Sequence, residues 1–163
     1  MVSRRLSRLE GHRRKFLAVI DDTPECSRAV HYAARRAKNS NGGLVLLYVI
    51  ANADFQQWLG VEAIMRAEAM AEAEAALAKA AETVRETIGI DAEMVIREGK
   101  PAEEIHTLID EDRDIAILVL ASGSAKDGPG PLVSMIAGRG AAFPIPVTVL
   151  PDVLTNEEID ALS

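Results

Sequence analysis

A glycine-punctuated stretch, VLASGSAKDGPGPLVSMIAGRG, spans residues 119–140 and holds residue types that could cradle a phosphate. An apolar run ends at Ala121, glycines follow at positions 123, 128, 130, 138 and 140, and a short apolar patch lies among them. Glycine tolerates φ > 0 and lets the backbone approach a ligand closely. Successive backbone N–H groups can form an anion-binding nest, to which Ser124 adds a hydroxyl and Lys126 a cation. Other chemistries are less well provided for. Ser122 and Ser124 sit in ASGSA, which is not the Gly-x-Ser-x-Gly of a nucleophile elbow. Asp21 and Asp22 follow an apolar run, as an acidic pair does in a phosphorylation receiver domain. That fold would want a further Asp after its third strand, where this sequence reads REGK. His12, His31 and His106 are too scattered for a metal set, so no metal site is expected. The single cysteine, Cys26, stands at a helix start, where a thiol can become reactive, but packing is its expected role.

The elements that would position these residues alternate. KFLAVI (15–20) and LVLLYVI (44–50) read as buried strands, and AEMVIRE (92–98), IAILVLA (115–121) and IPVTVLP (145–151) as the third, fourth and fifth strands. Between the first two, Thr23 can cap a helix, Pro24 suits its first position and Glu25 favours the positive end of its dipole. SNGG (40–43) ends that helix. A looser segment carrying Phe55 and Trp58 precedes a long Ala/Glu-rich helix from Val61 to about Ile88, with Val61, Ile64, Met65, Leu77, Val84 and Ile88 at roughly helical spacing. Glu62 and Arg66 make a favourable i,i+4 pair on it, and Gly89 closes it. Shorter helices are expected over 99–112 and 131–137. Five strands with intervening helices imply one α/β domain, a parallel sheet with helices on both faces and right-handed crossovers.

Composition bounds the rest. A chain of 163 residues supports one domain, able to bury roughly 70% of its unfolded surface. With aromatics at 4%, the core must be built from Ala, Val, Ile and Leu. A lone cysteine excludes an internal disulfide framework and fits a reducing cytoplasm. The first 15 residues hold six Lys/Arg against one acid, Glu10, so the remainder carries a net charge of −12. A body that acidic should repel nucleic acid. The basic head could touch an anionic partner, but a solvated, frayed terminus is expected. FLAVI is too short for a secretion-signal core, and no window approaches a membrane span.

Four segments in order, AVIDDTPECSRAVHYAARRA (18–37), LVLLYVI, REGKPAEEIHTLI (97–109) and DIAILVLASGS (114–124), resemble the universal stress protein family. The resemblance covers about residues 15–151. It leaves 1–14 as a basic N-terminal extension and 152–163 as an acidic tail. It implies a single doubly wound domain with a five-stranded parallel sheet in the order 3-2-1-4-5, and a ligand crevice where that order reverses. Members of the family commonly form homodimers through the last strand, which makes Val147 and Val149 the candidate contacts. The tail DVLTNEEIDALS reads as a short helix on the partner or as a mobile end.

In nucleotide-binding members an acid after the first strand contacts adenosine, main-chain atoms ending the second strand contact adenine, and a glycine loop after the fourth holds the phosphates. These positions correspond here to Asp21, to Val49 and its neighbours, and to the loop from Gly123. The family pattern is Gly, two residues, Gly, nine residues, then Gly and Ser or Thr. Gly123 and Ser124 begin it, but Lys126 stands where the second glycine should, and Arg139 follows Gly138 in place of the hydroxyl. Gly128 restores the second spacing only if two residues are inserted. Matching Gly130 to the late glycine instead puts Pro131, which has no N–H, at the hydroxyl position. Two readings follow. In one, the loop is a tight connection, and the protein is a non-catalytic stress-response module acting through dimerisation and an unidentified protein partner. In the other, Lys126 or Arg139 replaces the lost contacts and the protein senses ATP or AMP, with Mg²⁺ only beside ATP. ATP hydrolysis lacks a convincing base, so no enzyme activity is expected.

Overall fold

Every apolar run becomes a strand of one sheet in the computed structural model, which describes residues 4–51, 61–124, 126, 128–138 and 143–163. In chain order the elements are β1 (Lys15–Ile20), α1 (Cys26–Asn39), β2 (Gly43–Ile50), α2 (Glu62–Thr87), β3 (Glu93–Glu98), α3 (Pro101–Glu111), β4 (Ile115–Ala121), α4 (Pro131–Ala137), β5 (Val147–Leu150) and α5 (Asn156–Leu162). All strand pairs are parallel and the sheet order is β3-β2-β1-β4-β5, as the resemblance implies. Phe55 and Trp58 lie outside the described residues.

Alternate residues of each strand serve two cores. Phe16, Ala18, Ile20, Leu44 and Leu46 point to the face covered by α1, α2 and α5. Leu17, Val19, Val45, Leu47 and Leu118 point to the face covered by α3 and α4. Burial on both faces is why these strands read as unbroken apolar runs. The small residues Ala29, Ala33, Ala34 and Ala37 let α1 lie close on the sheet, and Phe16 is the one fully buried aromatic among the described residues.

Helix starts and faces depart from the sequence reading. The α1 helix begins at Cys26, not at Thr23, and no side chain caps it. The Thr23 hydroxyl and N–H both donate to the Asp21 carboxylate, so Thr23 is spent in the turn before the helix. On α2 the buried stripe is Ala73, Leu77, Ala81 and Val84. Val61 and Ile64, which share the helical spacing of the larger apolar residues, are exposed. The Glu62–Arg66 pair forms at 3.2 Å, and Arg66 also reaches Glu98 at 3.0 Å. Gly89 takes φ +84° after the helix, a conformation that favours glycine.

Both flanks pack onto the domain. The described part of the basic head is pinned, not frayed. Leu6 N–H donates to the Arg113 carbonyl at 2.9 Å, and Arg5 donates to the carbonyls of Ile109 and Ile115 at 2.6 and 3.1 Å. His12 Nδ1 lies 2.8 Å from Asp114. The acidic tail packs on the chain's own α1. A capping box of Thr155 and Glu158 starts α5, Ile159 is fully buried, and Asp160 lies 2.7 Å from His31 and 2.8 Å from Arg35.

The hydrogen bond from His31, reinforced by Arg35, holds the Asp160 carboxyl below the usual carboxylate range. A carboxyl lowered in the folded state contributes stability above its unfolded value of about 3.9 and loses it as pH falls through the lower folded value. Denaturant titrations of wild type and Asp160→Asn should therefore differ at neutral pH and converge in strong acid. A difference that persists at pH 2 would sink this assignment.

Candidate functional site

The sheet order reverses between β1 and β4, so the chains leaving Ile20 and Ala121 diverge and open a crevice at the carboxyl ends of the strands. One wall is the turn 21–25. The other is formed by residues 122–124 and 128–130, tied down at its start by the Ser122 N–H donating to the Leu150 carbonyl at 2.9 Å. The Arg28 guanidinium braces that loop, donating to the Ser122 carbonyl at 2.8 Å and lying 3.9 Å from Asp152.

The loop closes on itself. Gly123 N–H donates to the Pro129 carbonyl at 3.0 Å and Gly128 N–H to the Ser124 carbonyl at 2.8 Å. Two donors that an anion nest would aim outward are thus satisfied internally. A Cβ at Gly123 would run into the Gly128 carbonyl oxygen, so only glycine fits there. Gly130, at φ +96°, turns directly into α4, with Pro131 as its first residue.

The Glu25 side chain fills the opening. Its Oε1 lies 3.2 Å from where a Cβ of Gly123 would stand and 3.0 Å from where one of Gly130 would. Between the two turns, among the described residues, lies a hollow of about 20 Å³ lined by Asp21, Glu25, Cys26, Gly130 and Leu132, room for about one water, while a hollow of about 380 Å³ opens on the other side of Asp21, between α1 and α2. Burial pushes the Asp21 carboxyl up; the hydrogen bonds from Thr23 oppose this, and the charges of Glu25 and Asp22 add to it. Burial also pushes the Cys26 thiol up, which keeps it protonated and unreactive.

The structure brings Asp21, Gly123, Ser124 and Gly128 to the crevice and separates the other expected residues. Val49 is half-buried at the end of β2, packed into the core under α3 and α4. Lys126 is exposed on the turn. Gly138 is the C-cap of α4, a helix length of about 10 Å from the loop. Gly130 occupies the place just before the helix, so the glycine match ending at Gly138 does not describe the loop. Arg139 lies outside the described residues. The residues missed by the sequence reading are Glu25, taken only as a helix-dipole partner, and Arg28. The spacing of Glu25 from Asp21, one helical turn, was the available signal.

A second surface lies beside the edge strand. Val147 and Val149 share a face of β5 with Val133 and Ile136 of α4 and with Phe143, around a hollow of about 310 Å³. Val149 is 44% exposed. Among the described residues no group of three or more His, Cys, Asp or Glu could hold a metal ion, and no helix is long and apolar enough to cross a membrane.

A doubly wound parallel sheet, with a glycine turn facing an acidic turn across the reversal point, defines an open α/β domain with a crevice at the carboxyl ends of its strands. The sequence model of the universal stress protein family matches residues 12–151. The chain belongs to that family. Similar solved structures include the universal stress protein UspA from Lactobacillus plantarum, at 18% identity and a TM-score of 0.69, covering 84% of this chain and 97% of that one. A universal stress protein in complex with cAMP is 20% identical, with a TM-score of 0.60, covering 85% of this chain and 96% of that one. One from Archaeoglobus fulgidus in complex with dAMP is 15% identical, with a TM-score of 0.58, covering 83% and 96%. A comparison with curated proteins found no match.

Proposed function

We propose that this universal stress protein acts by binding rather than turnover, as a cytoplasmic homodimer that serves protein partners. Its own Glu25 takes the place a nucleotide phosphate would need. The observation that carries this reading is the Glu25 carboxylate lying against Gly123 and Gly130, with about 20 Å³ left between the two turns. The self-bonded glycine loop supports it, since a phosphate would have to displace both internal hydrogen bonds. The exposed Val149, with the half-buried Val147 on the same side of the edge strand, supports pairing of two chains along β5. The single, half-buried Cys26 suits a reducing compartment.

A second reading, an adenine-nucleotide sensor, is favoured by the cAMP and dAMP complexes of like fold and by the exposed Lys126. Thermal unfolding separates the two. Millimolar ATP with Mg²⁺, or AMP, should raise the midpoint by no more than the same concentration of pyrophosphate does, which controls for phosphate binding elsewhere on the chain. A ligand at 100 times its Kd adds about 2.7 kcal/mol, which would raise the midpoint of such a domain by roughly 5–10 °C. A rise of that size with AMP, lost in Asp21→Ala, would overturn the closed-crevice reading in favour of the sensor.

A further inference from the structure

The end of the sheet opposite the crevice carries an arrangement that the proposed function does not use. Arg8, Arg13 and Arg14 line a surface hollow of about 370 Å³ together with Ser7, His12, Ser40 and Asn41. Such a volume lies within the range of about 300–1,000 Å³ typical of small-molecule pockets. No carboxylate lines it, and Glu10, the one acid of the head, is not part of its wall.

Eight arginines elsewhere among the described residues are matched. Arg28, Arg35, Arg66, Arg85 and Arg97 each reach a carboxylate, and Arg5, Arg36 and Arg113 each donate to main-chain carbonyls. Among the described residues no oxygen takes up the exposed guanidiniums of Arg8 and Arg13. The Arg14 guanidinium lies 5.8 Å over the Phe16 ring, and its Nε is buried without a hydrogen-bond partner.

The hollow is held by the fold. Gly43 N–H donates to the Arg14 carbonyl and Lys15 N–H to the Asp114 carbonyl, each at 2.9 Å, and the Leu6–Arg113 bond fixes the start of the turn. Three like charges kept together in a fixed frame repel one another until an anion joins them. Guanidiniums bind two oxygens of a phosphate through their planar fork, and the Ser7 hydroxyl and the Asn41 side chain are neutral donors at the same rim, the Ser40 hydroxyl being spent on the Arg36 carbonyl. The arrangement is unexpected on a chain whose remaining residues carry a net charge of −12.

We propose that this hollow is a binding site for a phosphate-bearing anion, with Arg8, Arg13 and Arg14 as its ligands. The phosphate belongs either to a soluble molecule or to a lipid headgroup, and the test separates these sources. Calorimetric titration of the full chain with pyrophosphate at low salt should saturate at one equivalent. Arg8→Gln/Arg13→Gln, which removes two charges that hold no part of the fold, should weaken binding at least tenfold, whereas Asp21→Ala should leave it unchanged. Added sodium chloride should weaken it too. Sedimentation with phosphatidate vesicles, against phosphatidylcholine alone, forms the second arm. Capture by phosphatidate vesicles without pyrophosphate binding, lost in the double variant, assigns the site to a headgroup. Absence of binding in both arms, or binding undiminished in the double variant, overturns the proposal.

Discussion

Glu25→Ala is expected to gain a response to millimolar ATP that the wild type lacks, a rise in thermal midpoint of roughly 5 °C beyond any shift that pyrophosphate gives. The Glu25 carboxylate stands within van der Waals reach of both Gly123 and Gly130, where a phosphate oxygen would have to come. Two unit charges of like sign about 4 Å apart repel by about 4 kcal/mol at an effective dielectric constant near 20. Water at the mouth of the crevice reduces this, but even a third of it is a tenfold change in affinity. Alanine also frees the volume that the side chain fills. Glu25→Gln separates the two effects, because it removes the charge and keeps the bulk. Binding by both variants would make charge the obstacle, and binding by alanine alone would make it volume. Failure of both variants to respond to ATP would show that the internal bonds of Gly123 and Gly128 close the loop without help from Glu25.

Ile159→Ala should lower stability by about 2–4 kcal/mol and the thermal midpoint by roughly 5–10 °C. Ile159 is fully buried, in the same core as α1, β1 and Leu150, although it lies near the end of an acidic tail. The loss combines the transfer of a branched side chain with the cavity left behind, since α5 is held by its capping box and by Asp160 and cannot collapse inward. Leu162→Ala, three residues further along α5 and 60% exposed, is the control and should change stability by less than about 0.5 kcal/mol. Equal effects from the two substitutions would mean that the tail leaves the domain in solution.

Strands were the most legible part of the sequence, because double burial leaves an apolar run that no polar residue interrupts, as in LVLLYVI. Helix α4 was legible too, set between Gly130 and Gly138 with Pro131 at its start. The inward face of α2 was not. Its Ala and Glu residues give little contrast, and the larger Val61 and Ile64 drew attention from Ala73 and Ala81, which make the contact. The flanks were read from charge and composition, which register solubility but not the long-range bonds from Arg5 to Ile109 or from Asp160 to His31. At the crevice, Asp21 and Gly123 were found because their roles depend on residue type after a strand. Glu25 was not, because its role depends on the fold carrying β1 and β4 side by side, which a local pattern does not encode.

The length of α2 has a consequence of its own. Its 26 residues run about 39 Å at 1.5 Å each, while the eight residues of β2 span about 26 Å. The first fully buried position on the helix is Ala73, and before it only Met65 and Ala69 among the apolar residues are half-covered. No side chain caps the start at Val61. Among the described residues the helix is therefore a cantilever, clamped from Ala73 to Val84 and held towards Glu62 only by Met65, Ala69 and the Arg66–Glu98 pair. Opening its first turns uncovers little apolar surface, so they part from the body at a small fraction of the global unfolding free energy. Amide protons there exchange with solvent long before those of the clamped half, and the two ends of one continuous helix keep different time.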